Sequence, residues 1–207
     1  MDFVKRSPQN ARMNSPMEKQ KRRYSGQSFA DRQSDRRSKL VRAALAIAGR
    51  FGLEGTSVAA ICAEAGLTPR YFYESFPNRE AIFLEAYRLA QEELLSHIDG
   101  AKDRADPVRG ALTGFYTALY THPGLARVFL VDLDDHGDDM KAASQEGAKK
   151  LTEAFALKAR HPLLIAGIIG AVVDVAKRWI ESEFAEPVEN VVEIALPFTR
   201  VGQAATK

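Results

Sequence analysis

Between Gly52 and Asn78 the chain alternates helix stops and helix starts at intervals too short for one long helix. Gly52 suits the left-handed turn that ends a helix, because a residue without a Cβ adopts it without a clash. Thr56 and Ser57 are both competent N-caps, and Val58, Ala59, Ile61, Cys62 and Ala65 supply a short apolar helix that stops at Gly66. Thr68-Pro69 then opens another, a capping residue followed by the helical position where a missing N–H costs nothing. Phe76-Pro77 closes that helix at about Ser75, and Asn78 caps a long one whose stripe of Phe83, Tyr87, Ala90 and Leu94 reaches about Asp99. Upstream, Leu40, Val41, Ala44, Leu45, Ile47, Ala48 and Phe51 recur at three- and four-residue spacing, so a helix runs from Arg36 to Gly52. Two short helices joined by Ala65-Gly66-Leu67-Thr68 describe a helix-turn-helix.

The third helix is dressed unusually for a core element. Phe72 and Phe76, four apart, face inward and leave Arg70, Tyr71 and Tyr73 near a helix N-terminus whose backbone N–H groups are free. A guanidinium, two phenols and free N–H groups suit a phosphate-lined groove. The competing reading packs either tyrosine against the first helix and leaves Arg70 as a solvated charge.

The net charge of +2 argues against a nucleic-acid partner until it is divided along the chain. Residues 1–39 hold 11 Lys+Arg against 4 Asp+Glu, and the remaining residues hold 18 against 23, so a +7 end precedes a −5 body. Residues 1–34 carry too few aliphatic side chains to offset chain entropy and read as a disordered basic arm. The arm is either a solvated tail or a mobile element whose Lys19, Lys21, Arg22 and Arg23 add phosphate or minor-groove contacts.

The segment from Gly52 to Phe83 strongly resembles the DNA-binding region of the tetracycline-repressor (TetR) family of bacterial transcriptional regulators. The residues that carry the resemblance are Thr56-Ser57, Ala65-Gly66-Leu67-Thr68, Tyr73, Phe76-Pro77 and Arg79-Glu80. The resemblance implies an all-α fold divided into the arm (1–34), a three-helix helix-turn-helix domain (35–82) and a helical regulatory and dimerisation domain (83–207). It implies DNA contacts from Thr56, Ser57, Thr68, Pro69, Arg70, Tyr71, Tyr73 and Arg79. Positions 70 and 71, often Gly and a small hydroxyl residue in the family, are Arg and Tyr here, so the operator should differ from that of a Gly-Thr member.

In the body, helices are expected near 107–121, 124–132, 138–159, 162–184 and 187–202, punctuated by His122-Pro123-Gly124 and His161-Pro162. Phe115, Tyr116, Leu119, Phe129, Phe155, Ile169, Val173 and Trp179 are candidates for a ligand pocket, although aromatic residues at helical spacing also describe ordinary core. Such a pocket would take a largely apolar small-molecule effector. The helix from Pro162 is apolar nearly all round and must be covered twice, by its own core and by a second helix. Ala166, Gly167, Gly170 and Ala171, with Val191, Ile194 and Phe198 on the last helix, are the candidate homodimer interface; the alternative is the central helix of a monomeric bundle.

The run from Val131 to Asp139, with five aspartates and His136, invites a divalent cation, but its spacing is not that of a calcium loop. It reads more simply as a solvated loop whose last aspartates favour a helix N-terminus. One cysteine, Cys62, excludes disulfide frameworks and cysteine zinc sites. The apolar run from Pro162 to Val173 is shorter than the ~20 residues of a membrane span. A cytoplasmic transcriptional regulator is expected, a repressor on double-stranded DNA, with no cofactor, metal, membrane or enzymatic role; the rivals are a metal-dependent hydrolase and a helical protein adaptor.

Overall fold

The computed structural model describes residues 29–101, 105–130, 137–155 and 161–204. These form nine helices and no strand: α1 (Phe29–Phe51), α2 (Val58–Ala65), α3 (Pro69–Ser75), α4 (Arg79–Gly100), α5 (Pro107–Thr121), α6 (Pro123–Leu130), α7 (Asp138–Ala154), α8 (Pro162–Glu181) and α9 (Val188–Ala204). Helices α1 to α3 make an N-terminal unit, called the reader below, and α5 to α9 make the body. The expected arm up to residue 28, including Lys19, Lys21, Arg22 and Arg23, lies outside the described residues.

Local chemistry sets the reader's boundaries. Ser57, not Thr56, caps α2: its backbone is extended and its Oγ accepts the N–H of Ala60 at 3.1 Å. Gly66 ends α2 in the left-handed region at φ 64°, where its N–H serves the carbonyls of Cys62 and Ala63. Asn78 caps α4 by accepting the N–H of Ala81 at 2.8 Å. One boundary differs from the sequence reading. Helix α1 begins at Phe29, so residues 29–34 are helical; once the stripe from Leu40 to Ala48 is packed, each added turn upstream propagates from an existing helix rather than nucleating one.

Helix α4 is shared by both units. Ile82 and Phe83 at its start join the reader's core, and Ala90, Leu94 and Ile98 further along are buried against the body. The expected division at residue 82 therefore falls inside one continuous helix. Reader and body also meet where α1 crosses α6: a Cβ on Gly49 would sit 2.4 Å from the Cα of Gly124, so the helices approach backbone to backbone. Arg127 of α6 adds a hydrogen bond from its guanidinium to the Arg50 carbonyl at 3.2 Å.

In the body, Phe115, Tyr116 and Phe155 interlock with ring planes near perpendicular, and Tyr116 meets Trp179 in the same way. The Tyr116 hydroxyl donates to the Val172 carbonyl at 3.0 Å, and burial pushes its pKa well up. Trp179 donates to the Glu186 carbonyl at 2.8 Å. Helix α8 ends at Glu181, earlier than the expected 184, because Glu183 and Phe184 both adopt positive φ. Helices α6 and α7 end at Leu130 and Ala154; residues 131–136 and 156–160, into which longer helices were expected to extend, lie outside the described residues.

Candidate functional site

The reader turns its third helix outward by burying the rings on one side. Phe72 and Phe76 are almost fully enclosed with Leu40, Ala44, Ile61 and Cys62. Cys62 is a free thiol whose pKa burial pushes up, which fits packing rather than chemistry. Arg37 of α1 fixes the far end of α3. Its guanidinium donates to the Ser75 carbonyl and to Glu85 of α4, each at 2.5 Å, and lies 4.1 Å from the centre of the Phe76 ring. One side chain thus ties three helices together.

The eight residues expected at DNA divide into two groups. Ser57, Thr68, Pro69, Arg70 and Tyr73 are exposed, with Tyr73 62 % exposed. Thr68 has an extended backbone and makes no side-chain cap, so its hydroxyl is available. Arg70 pairs with Glu74 one turn on at 2.9 Å. An exposed pair of this kind is weak and readily exchanged for a phosphate or a base edge.

The other three are engaged within the protein. Thr56 is fully buried, and its hydroxyl donates to the Gly52 carbonyl at 2.7 Å; the Thr56-Ser57 pair splits into one inward and one outward hydroxyl, which corrects the expectation of a phosphate contact from the Thr56 side chain. Tyr71 is half-buried, with the Arg36 guanidinium 4.7 Å from its ring centre, so it packs on α1. Arg79 is half-buried at the start of α4, 3.4 Å from the Thr56 carbonyl and over the Phe83 ring. Arg36 and Arg37 of α1 are not among the site residues expected from the sequence, yet they hold Tyr71 and Phe76. The signal was the aromatic content of α3, since exposed ring faces attract guanidinium groups from whichever helix packs there.

The body holds a cleft of about 400 Å³ between α7 and α8. Leu151, Ile165, Ile169 and Val173 give it apolar walls, and Ser144, Thr152 and Lys149 supply its polar groups. Tyr87 of α4 and Phe129 of α6 also line it, their rings parallel and 6.0 Å apart. Burial pushes the Tyr87 hydroxyl pKa up, against the opposing effect of hydrogen bonds with Gln91 and Ser144. Gln91, itself buried, donates to the Ala143 carbonyl at 3.0 Å, so a polar link joins α4 to α7 beside the cleft. Of the expected pocket residues, Phe129, Ile169 and Val173 line this cleft. Phe115, Tyr116, Leu119, Phe155 and Trp179 do not: they fill the bundle centre, and their mutual ring packing leaves no room there.

The proposed interface residues also divide. On α8, Ala166, Gly167 and Gly170 are exposed, Leu163 beside them is 76 % exposed, and Ala171 is half-buried. On α9, Ile194 and Phe198 are exposed, whereas Val191 is buried in the chain's own core and leaves the candidate interface. Ala166 and Gly170 also line the cleft. Asp138 and Asp139 occupy the first turn of α7, and among the described residues no three His, Cys, Asp or Glu side chains converge on a metal position. Asp132, Asp134, Asp135 and His136 lie outside the described residues. No helix among the described residues is long and apolar enough to cross a membrane.

Residues 40–86 match the family model described as bacterial regulatory proteins, tetR family. No curated protein matches the chain by sequence. Among solved structures, the fold is similar to that of a TetR family transcription regulator from Marinobacter aquaeolei VT8, 16% identical over 82% of this chain and 98% of that one, with a TM-score of 0.62. It is similar to the transcriptional regulator FadR from Bacillus subtilis, solved in complex with stearoyl-CoA, at 15% identity, 80% and 98% coverage and a TM-score of 0.64. The multidrug binding protein EbrR, complexed with imidazole, gives 16% identity, 79% and 94% coverage and a TM-score of 0.63. The chain thus carries a segment, residues 40–86, that matches the tetR family model, in a fold similar throughout to that of solved TetR family regulators.

Proposed function

We propose that this chain is a ligand-responsive transcriptional repressor that binds a near-palindromic operator as a homodimer. The observation that carries the reading is the outward face of the α2–α3 corner: Ser57, Thr68, Pro69, Arg70 and Tyr73 are exposed together around the start of a helix whose other face is locked into the core. Arg70 reads a base edge after exchanging Glu74 for it, Tyr73 and Ser57 meet phosphates, and Arg79 reinforces the backbone contact from α4. Exposed Leu163, Ile194 and Phe198 with the small residues of α8 support a two-fold interface, since solvent-facing rings and aliphatic groups on adjacent helices gain most from an identical partner.

The cleft between α7 and α8 supports an effector site. Its apolar walls and single ammonium suit a largely apolar molecule with a polar or anionic end, and two similar folds were solved with small molecules bound. Tyr87 lines that cleft from α4, the helix that also packs on the reader. An effector that binds one α4 position better than another shifts the spacing of the reading helices.

Selection of bound duplexes from a random DNA pool tests the reading. The expected product is a near-palindrome whose half-sites lie about 34–36 Å apart, or a multiple of that distance. A pool that shows no enrichment after repeated rounds overturns it.

A further inference from the structure

We propose that the groove between the α3–α4 corner and the start of α7 is a docking site for the chain's own basic segment, residues 1–28. The groove measures about 410 Å³. Pro77 and Leu84 give it apolar surface, with the buried Phe76 and Met140 beneath, and Glu80, Asp138 and Asp139 supply carboxylates. Its one cation, Arg37, is committed to Glu85 and to the Ser75 carbonyl. Glu80, Asp138 and Asp139 carry no ion pair among the described residues. The groove therefore presents three carboxylates without a side-chain cation, each in the first turn of a helix, beside a helix that faces DNA.

Charge and tether length identify the occupant. Residues 1–28 hold seven Lys and Arg against two Asp and Glu, interspersed with Phe3, Val4, Met13, Met17 and Tyr24, so they match both the carboxylates and the apolar surface. The segment joins the fold at Phe29, and Arg37 of the groove is eight residues further along α1, about 12 Å at the helical rise. Lys19 to Arg23 precede Phe29 by six to ten residues, an extended reach of about 20–35 Å. The basic cluster therefore reaches back to the groove from its own attachment point. A nucleic-acid backbone is repelled by the same carboxylates, and they do not converge as metal ligands.

Docking places the segment in competition with DNA. Off DNA, the arm neutralises the groove; on DNA, phosphates take the arm and leave the groove bare. The docking stands on geometry and charge alone, whereas the competition rests on the DNA-binding reading above.

The test uses the full chain and two sets of substitutions. The groove variant carries Glu80→Gln, Asp138→Asn and Asp139→Asn; the arm variant carries Lys19→Gln, Lys21→Gln, Arg22→Gln and Arg23→Gln. Without DNA, chymotrypsin cleavage after Tyr24 should be slow in the parent and about threefold to tenfold faster in either variant and at high salt. Equal rates throughout overturn the docking, and so does protection that grows with protein concentration, which assigns the groove to a second copy's arm. Glu80→Gln alone, at an exposed position, supplies a milder groove variant should the triple one melt early; it should accelerate cleavage part of the way, and no acceleration in a folded protein counts against the proposal. On a selected duplex, the groove variant should bind about threefold to tenfold tighter, and the gain should vanish when the arm charges are also removed. An equal gain with and without the arm charges means plain repulsion from the carboxylates and overturns the competition. If no duplex is selected the DNA-binding reading fails, and the cleavage rates still decide the docking.

Discussion

In the reader, adjacent aromatic rings on α3 go to opposite sides: Phe72 is fully enclosed and Tyr73 mostly exposed. In the body, Phe115, Tyr116 and Leu119 of α5 recur at helical spacing and all go to one side, inward. The difference lies in how many neighbours each helix has. Helix α3 is one face of a three-helix unit and is covered mainly by α1 and α2, while α5 is packed against α4, α6 and α9. A helix covered on one side sorts its residues by chemistry; a helix covered on several sides must be apolar on all of them. Exposed rings on the first kind are therefore informative about function, and rings on the second kind mostly about packing.

The largest effects should come from emptying the two cores. Phe72→Ala and Phe155→Ala should each cost about 3–5 kcal/mol in urea unfolding. They should differ in consequence: any folded fraction of the Phe155 variant should select the parent's DNA sequence, and the Phe72 variant should select none. Identical selection by both would break the distinction between the units.

Next in size is the reading face itself. Arg70→Ala should relax discrimination at one position per half-site by about tenfold or more, with unfolding unchanged, whereas Arg79→Ala should weaken all duplexes alike. Binding to the operator and to a scrambled duplex separates the two, and equal losses on both for Arg70→Ala would remove its base-reading role. Smaller again is Arg37→Ala, which should cost about 1–2 kcal/mol because its two hydrogen bonds are only part-buried, with Arg37→Lys recovering a fraction. The smallest is Ser57→Ala: loss of one cap should lower stability by about 1 kcal/mol, read as a shift in melting temperature.

The reader was largely legible because its boundaries are written locally. Gly66, Pro69, Pro77 and Asn78 each impose a backbone state within one or two residues, so α2 ends, α3 begins and ends, and α4 begins where those residues place them. What escaped there was tertiary. No spacing rule tells which of Thr56 and Ser57 turns inward, and Tyr71 is withdrawn by Arg36, a residue 35 positions earlier on another helix. The start of α1 escaped for a different reason: residues 29–34 have no apolar stripe, and they are helical by continuation from a packed neighbour.

The body's cleft was less legible than its helices. Phe129, Ile169 and Val173 line it while Phe115 and Phe155 do not, yet all five look alike in a helical repeat. A cavity is the space left by the spacing of two helices, here α7 and α8, and that spacing is not encoded at any one position. Ser144, Thr152 and Lys149 were missed because they belong to the polar half of α7, where periodicity predicts only solvent. Val191 shows the same limit at the proposed interface, since a chain's own core and a partner's surface demand the same side chains.

Helix α4 spans 22 residues without a break, a rod of about 33 Å with the reader at one end and the body at the other. A rotation of about six degrees about the body end sweeps the reader end through about 3.4 Å, the rise of one base pair along a DNA strand. Under the proposed function, a change in cleft shape no larger than a side chain's repacking would become an error of one full step in the register of the double helix.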